Sequence, residues 1–100
     1  MKRVLKYTVN PNDEVIEMPL NAKIISAGAQ GSDIVIWAEV TEGDTVGLRD
    51  VVAMPTGFVT FKESVGYTFI DTVQILAEGL VFHVYELDYN YVAEGNELIG

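Results

Sequence analysis

"DIVIWAEVT", residues 33–41, decides how the rest of the chain reads. On an extended backbone Ile34, Ile36, Ala38 and Val40 fall on one side, and Val35, Trp37 and Glu39 on the other. Most of these residues are β-branched or aromatic, which suits a pleated surface. Both sides are largely apolar, the pattern of a strand covered twice. "GSD" at 31–33 and "EGD" at 42–44 supply the turns that bound it.

The same punctuation recurs in both directions. Upstream, "AKIISAGAQ" (22–30) is a strand. "EVIEMP" (14–19) is a short one stopped by Pro19. "RVLKYTV" (3–9) alternates before the "NPND" turn at 10–13. Downstream, "GLRDVVAM" (47–54) is a strand ended by "PTG". "FVTFKES" (58–64) reads as either a loop or a short strand. "YTFIDTVQIL" (67–76) and "LVFHVYEL" (80–87) form a hairpin joined by "AEG" at 77–79. No stretch of ten residues repeats with the period of a helix. The expected fold is all-β: a small antiparallel β-sandwich or barrel-like fold of seven to eight short strands. It forms one domain over residues 1–87, followed by a polar, acidic C-terminal tail or docking arm over 88–100.

The composition limits the chemistry. Fifteen acidic residues against six basic ones give a formal charge of −9, which disfavours nucleic acid and anionic membrane surfaces as partners. Without cysteine there are no disulfides, thiolate nucleophiles or thiolate metal sites. "MKRVLKYTVN" alternates too much for a signal peptide, and no apolar run approaches the ~20 residues of a membrane-spanning helix. Ser26, Ser32 and Ser64 lie in no nucleophile-elbow context, and His83 is the sole histidine. Asp71, Glu86 and Asp88 fall near one another across the hairpin, with Asp71 opposite the region of Leu87. They read as a solvated acidic end of the sheet and not as an acid–base pair. The expectation is therefore a non-enzymatic protein with no metal and no cofactor.

Binding remains. Residues 81–85 place His83 on one face with Val81 and Tyr85, and Phe82 and Val84 on the other, so His83 is a strand residue first and a ligand contact second. An anion site would draw on Arg49 and Lys62 flanking the "PTG" turn, or on the N-terminal bases, with Trp37 or a tyrosine for stacking and His83 as a further contact. Because a small sandwich covers one face of each sheet, the apolar second faces are expected to pack against another copy, through Val35, Trp37, Val81 and Tyr85.

Four stretches in order also resemble a known family: "RVLKYTV", "IEMPLNAKIISAGAQ", "IVIWAEV" and "YTFIDTVQILAEGLVFHVYEL". They are similar to short proteins of tailed bacteriophages and prophages, carried as a domain of unknown function. The likeness covers roughly residues 2–87, and the segment "TEGDTVGLRDVVAMP" is shorter here than in that family. The resemblance implies a phage origin and a small β fold, and it assigns no catalytic residue. Together with the charge it sets out an oligomeric phage accessory protein that binds and blocks a host protein or defence component. The alternatives are a sponge for an anionic nucleotide signal at a subunit interface and a minor structural virion protein. Its expected partners are thus a second copy, a host protein or an anionic small molecule. Its expected location is the cytoplasm of the infected bacterial host, or else the virion.

Overall fold

The structure, a computed structural model, describes residues 1–13, 15–58 and 65–88. These contain seven strands: β1 (Lys2–Val9), β2 (Val15–Pro19), β3 (Lys23–Gln30), β4 (Asp33–Thr41), β5 (Val46–Pro55), β6 (Gly66–Ile75) and β7 (Leu80–Asp88). All pair antiparallel, in a three-stranded sheet ordered β1-β4-β3 and a four-stranded sheet ordered β2-β5-β7-β6. The strand "DIVIWAEVT" is the centre of the smaller sheet. Most of "FVTFKES", with Lys62, and the tail from 89 onward lie outside the described residues.

Turn chemistry sets the hairpins. Between Gln30 and Asp33 the chain reverses in two residues, with Gly31 at φ 61° in the first, as a type II′ turn requires. Between β6 and β7 a 3₁₀ turn, Leu76–Glu78, ends in Gly79 at φ 65°, a left-handed conformation that favours glycine. In "NPND", the Asn10 side chain accepts the Asn12 N–H at 2.9 Å.

Period two then builds the core. Ile34, Ile36, Ala38 and Val40 face inward from β4 and meet Ile16 and Met18 of β2, Val51 of β5, Val73 and Ile75 of β6, and Val84 of β7. All are buried, and each large aliphatic among them contributes about 1.5–3 kcal/mol of transfer free energy. Two register shifts bend the sheets, between Ile24 and Ser26 on β3 and between Phe69 and Asp71 on β6. These two edge strands pack against each other across the sandwich, where the Ala27 N–H donates to Asp71 Oδ2 at 3.3 Å.

The bulge corrects the sequence reading of the acidic end. Asp71 pairs with Val84, and Leu87 pairs with Tyr67. Asp71 binds β3 while Glu86 binds Arg49, so the two carboxylates serve separate structural contacts.

Candidate functional site: two sheet faces and an end pocket

Strand alternation turns one side of each sheet away from the core. On the four-stranded sheet the outward apolar and aromatic residues include Val15, Leu48, Val52, Tyr67, Phe69, Val81 and Tyr85, together with His83 and the acids Glu17 and Asp50, as the pairings Val52↔Tyr85, Phe69↔Tyr85, Met54↔His83 and Asp50↔Leu87 require. Tyr85 is the hub. The rings of Tyr67 and Phe69 each approach it edge-on, with centroids at 5.6 Å. Leu48 (66%), Tyr67 (59%) and Phe69 (52%) are nevertheless mostly exposed. These exposed hydrophobes, with no covering layer of described chain, make an apolar surface of the kind that marks a contact site.

His83 lies at one end of that face. Its Nε2 is 2.7 Å from Thr56 Oγ1 and its Nδ1 is 3.1 Å from Thr72 Oγ1. Each hydroxyl can donate or accept, so both ring nitrogens are satisfied in either tautomer. No described serine or carboxylate shares those contacts.

Trp37 and Val35 face the other way, on the outer side of the three-stranded sheet. The predicted interface set therefore falls on two opposite faces, Val35 with Trp37 and Val81 with Tyr85. Val35 itself is a correction. Only 2% exposed, it is buried by its own molecule and offers no contact area. The Lys6 ammonium donates to Gln30 Oε1 at 2.6 Å, crossing β4 between the Trp37 and Asp33 rows. Trp37 lies over Gly28 and stays half-buried.

The anion set is likewise dispersed. Arg49 turns to the inner side of β5, where Nε and Nη2 hold Glu86 in a two-pronged ion pair, the Nη2–Oε1 distance being 2.9 Å. Its Nη1 donates to the carbonyls of Ala22 at 2.8 Å and Leu20 at 3.2 Å. Hydrogen bonding to Glu86 holds the guanidinium above its ordinary value; desolvation opposes this, and the charge of Glu86 adds to it. Arg49 is thus a clamp between β5, β7 and the β2–β3 connection. It does not join Trp37 or His83, and Lys62 lies outside the described residues.

The bases on the side of Trp37 come from the N-terminal part of the chain, one of the sources the sequence reading offered for an anion site. Lys6 pairs with Trp37 itself, Lys23 with Glu39 and Lys2 with Thr41, all on the outward side. Lys2 also reaches Glu39 at 3.6 Å. The signal was present as alternation in "KRVLKY", but it becomes a patch only when β1 and β3 flank β4.

A pocket of about 190 Å³ opens at the end of the sandwich beside the β3–β4 and β6–β7 turns. Among the described residues no cluster of three metal-ligating side chains occurs, and every buried side-chain nitrogen or oxygen has a hydrogen-bond partner. No described helix is long and apolar enough to cross a membrane.

A family model described as "Domain of unknown function (DUF7352)" matches residues 1–94, a span that runs six residues beyond β7. No curated protein and no solved structure matches the chain.

Proposed function

This chain belongs to the DUF7352 family, and we propose that it acts by binding, as a self-associating accessory protein of a bacteriophage that blocks a host protein. One observation carries the reading: the outward face of the four-stranded sheet holds Tyr67 and Phe69 more than half exposed against Tyr85, with Leu48 likewise exposed farther along β5. The occupant of that face is a second copy. Its Tyr67–Phe69–Tyr85 cluster is aromatic, so two copies related by a twofold axis meet ring against ring there, while the acids of the same face, Glu17 and Asp50, lie on β2 and β5. The chain is acidic as a whole, with a formal charge of −9, and that net charge speeds encounter with a basic host surface.

The test is the mass in solution by light scattering, for the wild type and for Phe69→Lys. The reading expects an oligomer that the substitution dissociates while the circular dichroism spectrum is retained. A wild-type monomer at high micromolar concentration ends it.

A second reading has its own observation. Lys2, Lys6 and Lys23, three of the five described bases, surround Trp37 on the outward side of the three-stranded sheet. Positive charge around a ring suits a stacked anionic nucleotide. A thermal-shift screen with nucleotides tests it: stabilisation that is lost in Trp37→Leu supports a nucleotide sponge, and no stabilisation at millimolar ligand removes it.

A further inference from the structure

We propose that the pocket at the end of the sandwich receives an arginine side chain presented by a protein partner. This rests on the reading above only in supposing that the partner is basic.

The pocket has an apolar floor and an acidic rim. Ile34, Ile75 and Phe82 form the floor; Ser32, Asp33 and Glu78 stand at the mouth. Its volume of about 190 Å³ is roughly six waters' share and below the ~300 Å³ at which small-molecule pockets begin, so it is sized for one long side chain. Ile34 and Ile75 are only 8% and 4% exposed, which makes them surfaces reachable from inside the pocket alone.

The rim carries charge that the chain itself does not balance. Glu78 accepts the Ser32 hydroxyl, a neutral donor, at 2.5 Å. The Asp33 carboxylate has no cation among the described residues. Four described bases are engaged or placed elsewhere, Lys2 with Glu39, Arg3 with Glu42, Arg49 with Glu86, and Lys23 at the opposite end of β3, and the fifth, Lys6, reaches Gln30 in the Asp33 row but forms no ion pair with Asp33. An apolar shaft below two uncompensated carboxylates complements a side chain with an aliphatic stem and a cationic head. Arginine fits better than lysine, because its planar fork serves two carboxylates at once and is more weakly hydrated. From Pro11 and Ala53 an open trough of about 510 Å³ continues along Asn12 and Asp13, giving the partner's backbone polar groups to meet.

The experiment is an NMR titration of the full chain with N-acetyl-arginine methylamide, in parallel with the citrulline analogue. The two ligands share length and shape and differ in charge. The proposal expects shifts confined to amides 31–34 and 75–82, with millimolar affinity for the arginine compound and binding weaker by about fivefold for citrulline. The double variant Asp33→Asn, Glu78→Gln changes only exposed side chains and should weaken arginine binding by about fivefold, the upper end for an exposed ion pair. The same shifts in the wild type should diminish as salt is raised, a measurement that needs no variant. Equal responses to arginine and citrulline, shifts centred elsewhere, or no shift at tens of millimolar would overturn it. The titration reports on each molecule separately. A monomer that binds arginine refutes self-association and keeps the pocket; an oligomer indifferent to arginine does the reverse.

Discussion

The carboxylate of Asp71 on β6 accepts the backbone N–H of Ala27 on β3 at 3.3 Å, a bond that ties the two sheets along one edge. β3 ends its sheet, so its outward N–H groups are templates for unwanted strand pairing. The bulge between Phe69 and Asp71 aims the carboxylate at one of them. Asp71→Ala should destabilise the fold by about 1–3 kcal/mol, the cost of a stranded, partly buried donor. Hydrogen exchange at the Ala27 amide should accelerate, and Asp71→Asn, which keeps an acceptor, should restore most of the protection. Unchanged exchange at Ala27 in the alanine variant would refute the tie.

Gly28 sits under the indole of Trp37. A β-carbon there would stand 3.0 Å from Cζ3 and 3.2 Å from Cη2, so the ring would have to give way by a few tenths of an ångström, and the further methyls of valine would push it more. Gly28→Val should lift the indole and cost about 1–3 kcal/mol, as overpacking does. Trp37 is the only tryptophan, so its fluorescence isolates the event: emission should shift to the red in the folded variant. A wild-type spectrum would mean that the ring is not on Gly28.

Arg49 and Glu86 should behave as a coupled pair. Arg49→Met leaves Glu86 partly shielded without its cation and removes bonds to two carbonyls; a loss of about 1–3 kcal/mol in urea unfolding is expected, moderated because both side chains are about a fifth exposed. Arg49→Met with Glu86→Leu should recover part of it, since the isolated charge is gone. The pH dependence has a definite sign. A guanidinium raised above its ordinary value contributes fully below that value and loses the contribution only as pH rises through the folded one. Arg49 should therefore cause no loss of stability between roughly pH 6 and pH 10.

Val35 and Phe69 should respond in opposite ways to the same change. Val35→Lys places a charge where only 2% of the residue is exposed, and should abolish the folded state in thermal melts. Phe69→Lys alters a face that no described segment covers, and its monomer should melt cooperatively with the native circular dichroism spectrum. Equal tolerance of both would erase the distinction between the two outer faces.

Alternation and turn residues were enough to define the strands. "DIVIWAEVT", "AKIISAGAQ" and the hairpin around residues 77–79 emerge where the side-chain period and the glycines place them, because both are local properties of the chain. His83 was equally legible, since sharing a face with Val81 and Tyr85 follows from period two alone. Which faces meet was not. Trp37 and Tyr85 look equivalent along the sequence, yet strand order sends them to opposite sides of the molecule. Val35 has the pattern of an exposed contact and is buried within its own molecule. Asp71 seemed one of several scattered acids until a one-residue bulge turned it toward a strand more than forty positions away. Such contacts depend on sheet order, register shifts and long side chains reaching across strands. These are set by the packing of the whole chain, and no short stretch of sequence contains them.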